Sequence, residues 1–286
     1  MAATHPRSYH NLGGLTSARS GFDRLRTDGY NRRMLQIEHL TKRFGAKVAV
    51  SDLSLEVRAG ELVAFLGPNG AGKTTTLKCV AGLFWPSAGR VLVGGHDVHA
   101  QAVAAKRLLS YVPDQPYLYE KLSGREFLLF VARLYGLERQ ECSRAVEELL
   151  ALFEAGEWAD DLAENYSHGM RQKIVLSAAL LHDPKLLVVD EPMVGLDPAS
   201  AKLVKSVLRE RVAAGCAILM STHTLSVAEE VADRIGILHR GRLLVEGTQA
   251  DLRRSAATAA DGNLEEIFLQ LTENAADPES EPASTL

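Results

Sequence analysis

A glycine-rich segment that ends in a lysine and two threonines carries the clearest chemical signal in the sequence. It fits the spacing G-x-x-x-x-G-K-[ST] and consists of Gly67, Pro68, Asn69, Gly70, Ala71, Gly72, Lys73, Thr74 and Thr75. Glycines allow consecutive backbone N–H groups to wrap an anion, and a helix that starts here directs its positive end at the same point. Lys73 adds a point charge for the β- and γ-phosphates, and the Thr74 hydroxyl is a hard oxygen ligand for Mg²⁺. The segment therefore predicts a binding site for a nucleoside triphosphate and Mg²⁺.

Two carboxylates stand directly after a second apolar run. Asp190 and Glu191 follow the four apolar residues 186–189. Adjacent side chains on a strand face opposite ways, so the two carboxylates serve different purposes. At the carboxyl edge of a sheet, Asp190 is placed to hold Mg²⁺ and Glu191 to polarise a water molecule for in-line attack on the γ-phosphate. Together with the phosphate loop, this pair predicts nucleotide hydrolysis.

An alternation of strands and helices must position these residues, and the hydrophobic pattern predicts one. Short apolar or alternating runs predict strands at 35–38, 54–58, 62–66, 91–93, 109–112, 186–189, 217–221, 234–239 and 242–246. Helical spacing predicts helices at 73–82, 123–135, 138–153, 169–182, 199–214 and 225–231, with small helices near Asp251 and Leu264. This order is typical of an α/β fold with a largely parallel sheet. Because the run from 123 to 182 lacks clear strands, it predicts an inserted helical subdomain.

The composition excludes several classes of protein. The 286 residues are 46% apolar and 24% charged, which is the profile of a globular protein and excludes wholesale disorder. No run of eighteen apolar residues is present, so we do not expect the chain to span a membrane by itself. The three cysteines Cys79, Cys142 and Cys216 lie far apart, which disfavours a disulfide framework or a cysteine zinc site.

The two ends of the chain differ from its body in charge. Residues 1–33 contain six arginines and two acidic residues, whereas residues 255–286 contain seven acidic residues and neither lysine nor arginine. We expect a basic extension at 1–33, which is a flexible arm, a product of an upstream start codon or a mimic of a transit peptide. The body is close to neutral, so it offers no basic patch for nucleic acid, and we expect no nucleic-acid partner.

Three further segments resemble the ATP-binding subunits of ATP-binding-cassette (ABC) transporters. They are residues 166–173 (YSHGMRQK), 194–198 (VGLDP) and 221–223 (STH), and their order and spacing relative to the phosphate loop carry the resemblance. The resemblance extends from residue 35 to about residue 250. It identifies the phosphate loop as the family's Walker A motif, 186–191 as Walker B, 167–172 as the signature motif and 195–197 as the D-loop.

The resemblance implies roles for residues that spacing alone does not assign. Ser167 and Gly169 of the signature motif contact the ATP of a second copy, in a head-to-tail pair that sandwiches two nucleotides, and Asp197 of the D-loop belongs to the same site. His223 is the switch histidine, which faces the γ-phosphate or the attacking water. Phe44 stands where the family stacks an aromatic ring on adenine.

The sequence also departs from the family pattern. The usual signature Leu-Ser-Gly-Gly-Gln is Tyr166, Ser167, His168, Gly169 and Met170 here. Where the family places the glutamine of its Gln-loop, this chain has Asp114 followed by Gln115. We favour Asp114 by register, as an oxygen ligand for Mg²⁺ that adds negative charge, and keep Gln115 as the alternative.

From the resemblance we expect a P-loop NTPase core with a largely parallel sheet, a small antiparallel β subdomain and a helical subdomain at about 115–182. The domain is expected to cover residues 34–250, with a helix and an acidic, disordered tail at 251–286. ATP and Mg²⁺ are the implied cofactors. The implied partners are a second copy and a separate transmembrane permease, at the cytoplasmic face of the cell membrane.

The direction of transport and the class of ATPase leave alternatives. Residues 113–128 and 263–272 resemble single-cassette subunits of export-type transporters, which favours export over import. An apolar and aromatic cluster, Tyr117, Leu118, Tyr119 and Leu122, either receives the permease or is buried in the helical subdomain. A soluble ABC-type ATPase of repair or translation is the main alternative, although this chain has neither a long coiled-coil insertion nor two cassettes. A kinase or GTPase is disfavoured by residues 166–173 and His223.

Overall fold

Two β-sheets form the centre of the structure, a computed structural model that describes residues 33–255. The larger sheet has six strands, which in chain order are β3 (Leu62–Leu66), β6 (Leu109–Val112), β7 (Leu186–Asp190), β8 (Ala217–Thr222), β9 (Arg234–His239) and β10 (Arg242–Gly247). In space the order is β10-β9-β3-β8-β7-β6. All neighbours pair in parallel except the edge strand β10, which is antiparallel to β9. The parallel sheet expected from the sequence is confirmed.

The smaller sheet is antiparallel and has four strands in the order β2-β1-β4-β5. They are β1 (Arg33–Phe44), β2 (Lys47–Arg58), β4 (Ala88–Val93) and β5 (His96–Asp97). The strands β1 and β2 are much longer than the alternating runs predict, because their polar ends continue pairing through several irregularities in register. The expected small antiparallel subdomain is therefore present.

Eight α-helices are described between residues 33 and 255. They are α1 (Lys73–Val80), α2 (Ala102–Leu108), α3 (Gly124–Leu134), α4 (Arg139–Leu152), α5 (His168–Leu180), α6 (Pro198–Ala213), α7 (Leu225–Val231) and α8 (Gln249–Ser255). The helices α3, α4 and α5 form the helical insertion that the sequence predicts. The sequence pattern misses α2, in which only Ala105 is buried, so that no apolar stripe marks the helix.

The core is divided by the large sheet into two apolar layers. Along β3, Leu62, Ala64 and Leu66 face one layer, whereas Val63 and Phe65 face the other. The first layer contains the apolar faces of α3, α4, α5 and α6, and the second contains the antiparallel sheet and α1. Strands covered on both faces must be apolar throughout, and β3 and β7 are wholly buried.

The described range touches both expected domain boundaries. The strand β1 begins at Arg33, and Leu252 of α8 is fully buried. The extension at residues 1–32, the acidic tail and the helix expected near Leu264 lie outside the described residues. The division of the chain at 33/34 and 250/251 stays a prediction.

Candidate functional site

The sequence-predicted groups meet at one edge of the large sheet, at the carboxyl ends of its parallel strands. The phosphate loop follows β3, Asp114 stands two residues after β6, Asp190 ends β7 and His223 follows β8. Ligands of open α/β sheets bind at this edge, because the loops that follow neighbouring strands converge there. The sheet therefore brings segments that are more than 100 residues apart in sequence into one site.

The phosphate loop has a backbone that only glycine fits at two of its positions. A Cβ atom at Gly67 would lie 2.4 Å from the carbonyl oxygen of Leu238. Gly72 has φ +103°, and a Cβ there would lie 2.6 Å from the carbonyl oxygen of Ala49. The loop is thus pressed against β9 and β2, while Pro68, Asn69 and Gly70 are exposed. Ala71 is buried, and its carbonyl accepts the Gly241 N–H at 2.9 Å.

The first turn of α1 is left available to an anion. Its N-cap residue, Gly72, provides no side-chain cap, and the first turn contains no acidic residue. By contrast, α3 and α4 begin with capping boxes in which Glu126 and Glu141 occupy the first turn. An acidic first turn satisfies and neutralises the positive helix end, whereas the end of α1 keeps its positive potential. This is the electrostatic arrangement of a phosphate site.

Lys73 is buried and lies between the loop and the carboxylates of Asp190 and Glu191. Its Nζ donates to the carbonyl oxygens of Gly67 at 2.7 Å and Pro68 at 3.3 Å, and it lies 3.6 Å from Glu191 Oε1. Burial lowers the pKa of Lys73, and the nearby carboxylates of Glu191 and Asp190 oppose that shift. The ammonium group thus stays inside the loop, where phosphate oxygens can replace the carbonyls as acceptors.

Asp190 is fully buried and carries an oxygen without a partner. The hydroxyl of Ser221 donates to Oδ1, whereas Oδ2 is buried with no hydrogen-bond partner among the described residues. Burial raises the pKa of Asp190; the nearby hydroxyls of Ser221 and Thr74 lower it, and the charges of Asp114 and Glu191 add to the rise. A buried carboxylate with a free oxygen, beside a threonine hydroxyl and a second carboxylate, fits the oxygen ligands that Mg²⁺ takes in phosphate sites.

Glu191 is held at the end of β7 by an unusual backbone conformation. Its φ is +49°, which is uncommon for a residue with a side chain. The Glu191 N–H donates to the carbonyl oxygen of Ser221 at 3.2 Å and to its hydroxyl at 3.1 Å. Its Oε2 lies 3.0 Å from His223 Nδ1, and the His223 N–H donates to the same oxygen at 3.3 Å. The carboxylate therefore bridges Lys73 and His223.

The signature residues stand at the start of α5. Ser167 is the N-cap, and its hydroxyl accepts the Met170 N–H at 3.3 Å. Ser167 is exposed, and the first turn of α5, like that of α1, contains no acidic residue. Gly169 packs beside Leu196, and His168 reaches Val194. The structure thus places the signature next to the D-loop of the same chain, at an exposed helix start that Ser167 caps and that carries no acidic residue in its first turn.

Asp197 and Phe44 make contacts other than those the resemblance implies. Asp197 caps α6, because its carboxylate accepts the N–H groups of Ala199 at 3.0 Å and Ser200 at 2.9 Å. Phe44 is 45% exposed, and its ring lies edge-on to Phe84 with centroids 5.4 Å apart. The contribution of Asp197 to a nucleotide site and the stacking of Phe44 on adenine stay predictions.

The remaining predicted residues lie at the same edge. Thr75 is half-buried in the first turn of α1, and Asp114 and Gln115 are both exposed after β6. Ser221 had no assigned role, although it orients both Asp190 and Glu191. Ser221 is identified by the parallel register of β7 and β8, in which it pairs with Asp190. This register becomes visible only once the sheet is known.

A nucleotide-hydrolysing P-loop core is the class of protein that this fold and site define. The family model described as "ABC transporter" matches residues 50–194. The linearmycin resistance ATP-binding protein of Bacillus subtilis (strain 168) is 36% identical over 219 residues, which is 77% of this chain and 70% of the relative. The Nod factor export ATP-binding protein I of Burkholderia lata is 39% identical over 213 residues, 74% of this chain and 70% of the relative.

A solved structure described as an ATP-binding subunit of an ABC transporter is 35% identical to this chain, with a TM-score of 0.79. The match covers 84% of this chain and 99% of the solved chain. A dimeric ATP-binding cassette bound to ADP and Pi has 22% identity and a TM-score of 0.70, covering 75% of this chain and 98% of its own, which shows the shared fold. The chain belongs to the ABC transporter family. It is an ATP-binding subunit and an ATPase that drives transport, and such subunits work with a separate membrane permease.

Between residues 33 and 255, no helix has both the length and the apolar character needed to cross a bilayer.

Proposed function

We propose that this subunit hydrolyses ATP with Mg²⁺ at the site formed by β3, β7 and β8, and that Glu191 is the general base. The observation that carries the proposal is the bridge from Lys73 through Glu191 to His223, beside the buried carboxylate of Asp190. A phosphate ligand, a base and a further polar group within contact distance of one another are what in-line attack on a γ-phosphate requires.

Thr74, Asp190 and Asp114 are the residues proposed to hold Mg²⁺. When bound, the ion neutralises charge on the phosphate oxygens. The charge of Asp114 raises the pKa of Asp190, so the two carboxylates lie near each other. The register of the sequence favours Asp114, with Gln115 as the alternative, as the residue that faces the metal. Two carboxylates with one hydroxyl match the few protein ligands that Mg²⁺ takes when substrate phosphates and water complete its shell.

The protein groups divide the work of hydrolysis. Lys73 and the N–H groups of residues 69–75 bind and orient the β- and γ-phosphates. Glu191 accepts a proton from the attacking water as the oxygen of that water bonds to the γ-phosphorus, and ADP leaves with the electrons of the broken bond. His223 holds the Glu191 carboxylate through two contacts to Oε2. Phe44 is proposed to stack on the adenine.

The signature motif is proposed to act on the nucleotide of a second copy. Its own chain already supplies a phosphate loop to one ATP, so the exposed end of α5 at Ser167 is available to another. A head-to-tail homodimer satisfies both helix ends with two ATP molecules. Asp197, at the start of α6, is proposed to lie in the same interface.

Export through a separate permease, at the cytoplasmic face of the cell membrane, is the proposed use of this cycle. The relatives are named for resistance and export. After the Gln-loop position, Tyr117 is 73% and Tyr119 49% exposed, whereas Leu118 is buried and Leu122 half-buried. The rings of Tyr117 and Phe130, itself 42% exposed, pack edge-on against Tyr119. These three exposed aromatic residues form the surface proposed for the permease.

The substitution Glu191→Gln tests the assignment of the base. We expect ATP binding to be retained, turnover to fall at least about 1000-fold, and ATP to trap a dimer that gel filtration detects. The exposed substitution Glu157→Gln is the matched control and should behave as the unmodified protein. Normal turnover by Glu191→Gln would show that another group activates the water.

Recovery of the permease from detergent-solubilised membranes separates transport from the alternative of a soluble ATPase. Replacement of Tyr117 and Tyr119 by alanine should abolish that recovery and leave basal ATP hydrolysis within about twofold, because the two rings pack against each other and against Phe127 and Phe130. Recovery that is unaffected by both substitutions would place the contact elsewhere.

A further inference from the structure

Two side chains of α5 hold the backbone that leads from the catalytic carboxylate to the D-loop. His168 Nε2 lies 3.1 Å from the carbonyl oxygen of Val194, and Gln172 Nε2 lies 3.5 Å from that of Pro192. Residues four apart on a helix share one face, so both side chains reach the same segment. His168 stands between Ser167 and Gly169, at a position where the family usually has glycine.

A short chain of hydrogen bonds connects His168 to Glu191. Val194 accepts from His168 through its carbonyl, and its own N–H donates to the Glu191 carbonyl oxygen at 3.2 Å. A carbonyl oxygen only accepts hydrogen bonds, so His168 must carry its proton on Nε2. The imidazole ring also lies against Gly195, where a Cβ atom would come within 2.7 Å of His168 Cδ2.

The opposite side of this segment has little to hold it. A cavity of about 420 Å³ opens beside Glu191 and His223, and Val194 and Gly195 line it. Val194 is 45% exposed. Packing therefore restrains Val194 and Gly195 weakly on that side. Met193 and Leu196 of the same segment pack against the core, and α5 adds the contacts of His168 and Gln172.

We propose that His168 is a positioning residue, which fixes the backbone of Glu191 by donating a hydrogen bond to Val194. This role of His168 rests on the proposed function of Glu191 as the general base and adds a residue to it. Ser167 and Gly169 are proposed to bind the ATP that sits in the phosphate loop of the second copy. The bond from His168 to Val194 therefore connects that ATP to Glu191 of the first copy, which acts on the ATP in the first copy's own phosphate loop. An ATP bound by the signature motif thus favours the catalytic position of Glu191 at the other site.

The test compares two substitutions of similar size. His168→Gln places an amide N–H the same number of bonds from Cα, whereas His168→Met removes the donor. We expect His168→Met to lower kcat for ATP about three- to tenfold with KM within twofold of the unmodified protein, since the phosphate loop is unchanged. His168→Gln should recover kcat to within twofold. The melting temperature of both variants should match that of the unmodified protein, because the exposed His168 ring contributes little to the core.

The pH profile separates positioning from proton transfer. The Nε2–H of His168 is present both in the neutral tautomer that donates to Val194 and in the imidazolium form. We therefore expect the ratio of kcat between the unmodified protein and His168→Gln to stay constant from about pH 6 to pH 9. A ratio that changes with pH would assign His168 to proton transfer and overturn the proposal. Unchanged kcat in His168→Met, or equal losses in both variants, would also overturn it.

A separate measurement keeps this proposal distinct from that of the sandwich dimer. In the Glu191→Gln background, ATP-driven dimerisation is measured with Ser167→Ala and with His168→Met. Loss of the dimer with Ser167→Ala, but not with His168→Met, supports positioning by His168 within the dimer. If Glu191→Gln forms no dimer with ATP, the two-copy arrangement fails, whereas the kcat comparison still decides whether His168 positions Glu191 in its own chain. Loss of the dimer with His168→Met would show that His168 contacts the second copy, contrary to the proposal.

Discussion

Asp190→Asn should stabilise the protein while it removes catalysis. Asp190 is fully buried, its Oδ2 has no partner among residues 33–255, and the negative charges of Asp114 and Glu191 lie near it. Asparagine keeps the shape and the acceptor for Ser221, and it removes the buried charge that Asp114 and Glu191 repel. We expect a gain of about 1 kcal/mol in the free energy of unfolding, part of the usual cost of an unsatisfied buried group.

The gain should depend on pH with a definite sign. The folded state raises the pKa of Asp190, mainly through burial, so the protonated form is favoured by folding. The stabilisation from protonated Asp190 is complete below the pKa that this residue has in the unfolded chain. It is lost as the pH rises through the raised pKa of Asp190 in the folded state. The advantage of Asp190→Asn should therefore be largest at pH 7 and above, and should shrink as the solution is acidified.

Thermal unfolding in EDTA measures this advantage. For a domain of this size, about 1 kcal/mol corresponds to about 2–4 °C in melting temperature at pH 7. Asp161→Asn, which removes an exposed carboxylate, should leave the melting temperature unchanged. Turnover with Mg²⁺ and ATP should fall at least about 100-fold in Asp190→Asn, because a ligand of the ion is lost. A lower melting temperature for Asp190→Asn at pH 7, or a gain that grows in acid, would refute the reasoning.

Three further substitutions follow from the geometry. Gly72→Ala should weaken ATP binding more than tenfold and lower the free energy of unfolding by about 2 kcal/mol or more. The added Cβ would meet the Ala49 carbonyl, and the backbone has φ +103° at this position. Equilibrium titration with ATP measures the binding, and thermal unfolding measures the stability. Tyr166→Phe should lower the free energy of unfolding by about 1–2 kcal/mol, as measured by urea denaturation, because the hydroxyl accepts the Gly124 N–H at 2.9 Å. Thr74→Val should raise the Mg²⁺ concentration needed for half-maximal turnover about tenfold or more, and an unchanged requirement would contradict its role as a ligand.

The residues of the phosphate loop, Asp190 and Glu191 could be assigned from the sequence because their chemistry depends on local backbone. A loop that wraps phosphate needs spaced glycines that let consecutive N–H groups face the anion, with a lysine and a hydroxyl in fixed order. A carboxylate at a strand end needs only the apolar run before it. The parallel sheet followed from apolar strands alternating with helices. The helix α2 could not be predicted, because its short turns bury a single alanine.

The partners of each residue were decided by tertiary structure. The sequence identified Glu191 and His223 separately, but only the pairing of β7 with β8 brings Glu191 Oε2 within 3.0 Å of His223 Nδ1. The same pairing sets Ser221 beside Asp190 and Glu191. The sequence suggested Asp197 for the nucleotide, and that role stays a prediction beside the local cap that its carboxylate makes on α6. It showed His168 only as a departure from a motif. Its contact with Val194 joins positions 26 residues apart, a distance that local spacing cannot reveal because the packing of α5 against the D-loop sets it.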